Sequence, residues 1–261
     1  MDRLADFTSF SFTHAGRERT VYRKGEGPVV VIMHEVPGIS AEVARFARKV
    51  VEAGFTVFMP RLFGPVGVKT TEFNRLSELA KLCIGREFHV LAENRSSPVV
   101  DWLRALARRA FDAVGGRGVG AVGMCGTGNF ALTLTLDPWV VAPVMAHPSF
   151  PLPITRAKAA AVHATPETLA NARRRIGEEG LKVLGVRFHG DVLFCRAARF
   201  RTLRRELGEG FEGLELPAAS AKSPRLEPPH SVLTIGLVDR EGEPTRAAVD
   251  RVLGFLSERL R

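Results

Sequence analysis

The stretch Gly123-Met124-Cys125-Gly126-Thr127-Gly128 follows an apolar run, Val119 to Val122, and precedes a helix-like segment that begins near Asn129. A strand, a glycine-flanked side chain and a helix, in that order, make a nucleophile elbow, in which a sharp turn lifts one side chain above the end of a parallel sheet. The glycines have a steric reason. The turn strains the backbone of the central residue, and Cβ atoms on either side would strike the strand or the helix. Here the lifted side chain is a thiol, which points to acyl transfer through a thioester. The competing reading is a glycine-rich turn around a buried, inert cysteine.

Working outward, short apolar runs alternate with longer helical patterns. Residues 28–33 (Pro-Val-Val-Val-Ile-Met) read as a strand buried on both faces. Ser40 is a plausible N-cap for a helix over 41–53 that Gly54 closes. Further strands are expected at 55–59, 118–123, 139–146, 181–188 and 211–216. Helices are expected at 97–110, 129–136, 166–179, 196–207 and 243–260. Residues 61–95 read as irregular, with a short helical patch near 76–82, and 217–229 as a Pro-rich loop. Repeated β-α alternation without a linker or internal repeat predicts one domain over 1–261. Its fold class is α/β: a mostly parallel central sheet with helices on both faces.

The chain has 261 residues, 45% hydrophobic and 25% charged, ordinary for a globular domain with ample length for a core. No apolar run approaches the roughly 20 residues of a membrane span. The N-terminal residues lack the pattern of a secretory signal. Cys83, Cys125 and Cys195 are too few and odd in number for a disulfide framework, so a reducing, cytoplasmic setting is expected. The net charge of +9 is spread over Arg-rich segments interleaved with Asp and Glu, without interleaved aromatics. That argues against nucleic acid as a partner and leaves a mild preference for an anionic small molecule.

In open α/β sheets ligands bind beyond the carboxyl ends of the strands. The polar residues just past those ends are His34 and Glu35, Cys125, His189 and Asp191, and, after a long loop, His230. Cys125, Asp191 and His230 give nucleophile, acid and base in the chain order of α/β-hydrolases. His230 would take the thiol proton and later protonate the leaving group, and Asp191 would fix its tautomer. The N–H groups of Val36 and Gly126 would hold the oxyanion. Asp191 could instead cap the following helix, and His34, His147 or His189 could replace His230 as base. Cys83 and Cys195, among apolar neighbours, read as packing thiols. Glu35, a carboxylate at the end of an apolar strand, is costly unless paired.

These pieces resemble the dienelactone hydrolases, cysteine hydrolases of the α/β-hydrolase fold. The matching residues are His34-Glu35-Val36-Pro37-Gly38, Gly123-Met124-Cys125-Gly126, Gly190-Asp191 and His230, in the expected order over roughly residues 20–260. The resemblance implies a Cys125-His230-Asp191 triad acting on an ester or lactone, with no metal and no organic cofactor. It implies that Glu35 contacts the resting thiol and takes its proton when substrate binds, and that an arginine, with Arg86 the candidate, binds a substrate carboxylate. Oligomeric state stays open between monomer and homodimer. Two departures stand out: Gly126, where a larger residue is common and a roomier site is expected, and Thr127, where a glycine is common and a Cβ is expected to crowd the strand–helix contact. They motivate the alternative of a non-catalytic binding or regulatory protein on the same fold.

Overall fold

The structure, a computed structural model, describes residues 4–67, 97–222 and 229–261. Eight strands form one sheet: β1 (Thr8–His14), β2 (Arg17–Lys24), β3 (Val29–Met33), β4 (Thr56–Pro60), β5 (Val119–Met124), β6 (Val140–Ala146), β7 (Val183–Phe188) and β8 (Phe211–Leu216). Their order is β1-β2-β4-β3-β5-β6-β7-β8. From β4 to β8 every neighbouring pair is parallel, and β2 joins β4 antiparallel. This is the mostly parallel α/β sheet expected from the alternation, in the α/β-hydrolase arrangement that the family resemblance implied.

Every residue of β3, β4 and β5 is buried. In β3, Val30 and Ile32 enter one core while Val29, Val31 and Met33 enter the other, as the two-residue period of a strand requires. Helix α1 (Ala41–Glu52) and the last helix (Pro244–Leu260) cover the first face through Phe46, Val50, Val249 and Val252. Helix α2 (Pro98–Val114) covers the second through Trp102, Leu103 and Leu106. Ser40 caps α1 as expected, accepting the Val43 N–H at 3.2 Å.

The hairpin β1–β2 was not anticipated. Its sequence, Thr-Ser-Phe-Ser-Phe-Thr-His then Arg-Glu-Arg-Thr-Val-Tyr-Arg-Lys, alternates around the two-residue turn Ala15-Gly16. Mostly exposed side chains mask the strand signal there. The expected helix over 129–136 is broken into two short pieces, an α-helix Phe130–Thr133 and a 3-10 turn Leu134–Leu136, and a separate 3-10 turn Cys125–Thr127 precedes them. The helical patch near 76–82, Cys83 and Arg86 lie outside the described residues.

Three arginines explain part of the positive charge. Arg175, Arg187 and Arg199 are at most 2% exposed. The Arg175 guanidinium donates to the carbonyls of Thr135, Asp137, Pro138 and Val140. These cations cap loop carbonyls inside the fold and are unavailable to a surface ligand.

Candidate active site

Because β3 and β5–β8 are parallel, their carboxyl ends open on one edge. The sheet order runs β4-β3-β5, so the chain switches direction of travel between β3 and β5 and leaves a crevice there. Glu35 follows β3, Cys125 follows β5, His147 follows β6 and Asp191 follows β7.

Cys125 sits at φ +54, the left-handed region that a non-glycine residue enters only under strain. A Cβ on Gly123 would lie 2.3 Å from the Thr127 carbonyl oxygen, and one on Gly128 would lie 2.7 Å from Pro148 Cα. Those two glycines make the close contacts of the elbow. Thr127 does not crowd it. Its hydroxyl accepts the Met124 N–H at 3.0 Å and lies 2.9 Å from the carbonyl oxygens of Met33 and Met124. The side chain thus ties the elbow to the end of β3. Nor does Gly126 leave open space: a Cβ there would meet the Phe150 ring at 2.9 Å.

His230 and Asp191 meet as the chain order implied, with Nδ1 2.6 Å from the carboxylate. Asp191 also accepts the Phe194 N–H at 3.1 Å, so it serves the loop turn and the histidine together. Burial opposes charge on His230, but the Asp191 carboxylate, by charge and hydrogen bond, and the Cys125 sulfur raise its pKa to about 10. Burial likewise works against ionised Asp191, and the charge and hydrogen bond of His230 turn the balance to a lowered pKa. Nε2 of His230 is buried and makes no hydrogen bond. The ring is flanked by His147, 4.5 Å away edge-on, and by Phe194 at 4.8 Å.

Glu35 is 1% exposed. Its carboxylate accepts the Ser231 hydroxyl at 2.6 Å, the Thr234 hydroxyl, and the His147 Nε2–H at 3.1 Å. Burial would raise its pKa, yet these three donors hold it at about 2. The thiol has a different partner: Ser149 Oγ lies 3.3 Å from Cys125 Sγ. So the structure joins Cys125, His230 and Asp191 at one locus and sets Glu35 behind His147. Val36 and Gly126 flank the crevice, and the Gly126 N–H falls in the first turn of a short helix, where N–H groups have no intrahelical partner.

The other histidines separate cleanly. His34 is fully buried, its Nδ1 bonded to the Glu35 carbonyl and its Nε2 to the Leu62 N–H; burial lowers its pKa to about 4. His189 is exposed. Cys195 is buried with its thiol pushed up to about 12, mainly by burial, as befits a packing residue. Burial first and the charge of His230 second lower the pKa of His147. Its role beside Glu35, with Ser231 and Thr234, was missed. The available signals were the position of His147 directly after β6 and two hydroxyls within four residues of His230.

Two further features frame the site. Among the described residues, three of the four non-glycine residues at positive φ are Cys125, His147 and Ser231. Arg199 donates to the carbonyls of Pro148 (2.5 Å), Pro151 (2.5 Å), Lys158, Ala161 and Phe194. It thereby clasps the segment carrying Ser149 and Phe150 to the loop carrying Asp191 and Phe194.

Comparison with known proteins agrees with this architecture. No curated protein is detectably similar in sequence. Among solved structures, a dienelactone hydrolase from Anabaena variabilis ATCC 29413 is 14% identical with TM-score 0.57, over 98% of this chain and all of that one. A cold-adapted esterase from an Arctic intertidal metagenomic library is 13% identical with TM-score 0.59, over 97% and 93% of the two chains. A dienelactone hydrolase-like promiscuous phosphotriesterase from metagenomic libraries is 18% identical with TM-score 0.56, over 98% of each. At these identities the likeness concerns the fold. The model of the dienelactone hydrolase family matches residues 17–169, a span that holds the β3 end, the elbow and His147. The chain belongs to the dienelactone hydrolase family.

Proposed function

We propose that this member of a hydrolase family cleaves a carboxylic ester or lactone through a Cys125 thioester, with His230 and Asp191 completing the triad. The observation that carries the reading is the 2.6 Å contact between Asp191 and His230 Nδ1. It fixes the ring so that the buried, uncommitted Nε2 is the nitrogen left for the thiol. The raised pKa of His230 favours imidazolium at neutral pH, the form that steadies a thiolate at Cys125 and protonates a leaving alcohol.

The steps follow. Cys125 sulfur adds to the carbonyl carbon, and the N–H groups of Val36 and Gly126 receive the developing oxyanion. The C–O bond breaks as His230 gives its proton to the alkoxide. Water, losing a proton to His230, then adds to the thioester carbon, and the C–S bond breaks to release the acid. Glu35, held by three donors, keeps His147 and Ser231 in place; to take the thiol proton it would first have to shed those bonds. The substrate is a small ester or lactone bearing a carboxylate, for which Arg86 is the candidate partner by family resemblance.

The test is a stopped-flow burst with p-nitrophenyl acetate. The wild type should show a burst and a mass increment on the Cys125 peptide, and Cys125→Ala should show neither. Full turnover by Cys125→Ala would refute the proposal.

A further inference from the structure

Glu35, His147 and His230 come from three distant chain segments, yet one donor atom of each lies within 4.8 Å of the others, and all three are buried. Carboxylate and two imidazoles are a donor set suited to zinc. Glu35 Oε2 and His147 Nε2 are 3.1 Å apart. Two ligands on one tetrahedral zinc, at bonds of about 2.0–2.1 Å, sit about 3.3 Å from each other. The outer partners that orient metal ligands are also in place. Asp191 holds His230 through Nδ1, and Ser231 and Thr234 hold the Glu35 carboxylate. Independently, His230 Nε2 and His147 Nδ1 are buried without a hydrogen-bond partner, a costly condition that a ligand would relieve at His230.

We propose that zinc binds between Glu35, His147 and His230 and inhibits the hydrolase. The inhibitory part rests on the proposed function, in which His230 Nε2 serves Cys125. A metal on that nitrogen takes up the lone pair that receives the thiol proton. His147 binds through Nε2 and moves its ring proton to Nδ1, the nitrogen now without a partner. Because the three donors lie within 4.8 Å of one another while Glu35 and His147 are already 3.1 Å apart, closure on zinc draws the His230 ring toward the Glu35–His147 pair. Cys125 is not one of the ligands, which separates this site from simple capture of zinc by a thiol.

The experiment titrates metal-free, full-length protein with Zn²⁺ by calorimetry and with Co²⁺ by visible absorption. Wild type, Cys125→Ala, His147→Gln and Glu35→Gln are compared, each checked for folding by circular dichroism. Wild type and Cys125→Ala should bind one equivalent, with tetrahedral cobalt bands and no thiolate charge-transfer band. Binding should weaken at least tenfold in whichever of His147→Gln and Glu35→Gln folds, and a chelator should restore wild-type hydrolysis. Absence of stoichiometric binding, its loss in Cys125→Ala, or unchanged affinity in the folded Glu35→Gln or His147→Gln protein overturns the zinc site. Zinc binding by a wild type that shows no burst would keep the site and refute the hydrolase.

Discussion

Replacing Thr127 with valine keeps the shape of the side chain and removes only its hydroxyl. That hydroxyl is fully buried, accepts the Met124 N–H and donates toward the carbonyls at the end of β3. In the variant the Met124 N–H is left buried and unpaired, a loss of about 1–3 kcal/mol, and the donated bond contributes a further 0.5–1.5, roughly. The sum is about 1.5–4.5 kcal/mol. With an unfolding entropy of about 2.1 cal/mol/K per residue over 261 residues, this is a fall in Tm of about 3–8 °C. Thr127→Ser keeps the hydroxyl and loses one methyl, about 1 kcal/mol or about 2 °C. The same bond ties the elbow to the loop bearing Glu35 and Val36, so kcat for an ester should fall in the valine variant with KM little changed. The assays are differential scanning calorimetry and steady-state hydrolysis on both variants. A valine variant within about 1 °C of wild type, or a serine variant that loses as much, would refute the argument that the hydroxyl replaces the glycine usual at this place.

Arg199→Met should destabilise by at least about 3 kcal/mol, because five backbone carbonyls lose their shared donor; urea unfolding measures it, and proteolysis should cut first within residues 148–161. The pH dependence of Tm should reflect three groups. His34, lowered to about 4, contributes stability that is present above its unfolded value near 6.5 and is lost as pH falls toward 4; His34→Gln should flatten that limb. His230, raised to about 10, contributes stability that is full below about 6.5 and lost as pH rises through 10, so His230→Gln should flatten the alkaline limb. Glu35, lowered to about 2, contributes above about 4.5 and loses its share as pH falls toward 2, which Glu35→Gln should remove.

The parallel part of the sheet was legible because strands buried on both faces need continuous apolar runs, and Val29–Met33 and Val119–Met124 are such runs. The hairpin Thr8–Lys24 was not, since its outward face carries Arg, Glu, Thr and Ser and its alternation is diluted. Cys125 could be found because a strained turn forces glycine on its neighbours. Asp191 and His230 could be found because chain order constrains them. The partners of Glu35 could not: His147, Ser231 and Thr234 lie 112, 196 and 199 residues away, and no local pattern encodes contacts of that span. Thr127 was misread for a related reason, as the sequence displays its Cβ and hides the carbonyls its hydroxyl reaches.

Among the described residues, the four non-glycine residues at positive φ divide by consequence for protein engineering. Ala15, at φ +48 beside Gly16 at +72, makes a two-residue hairpin turn that asparagine suits better than alanine, and nothing in the crevice depends on it. A stabilising redesign can relax that turn freely. At Cys125, His147 and Ser231 the same remedy, glycine or asparagine, would ease the backbone while deleting the thiol, the imidazole or the hydroxyl that the strain holds in position. A stability screen blind to activity would therefore favour the loss of this site one residue at a time.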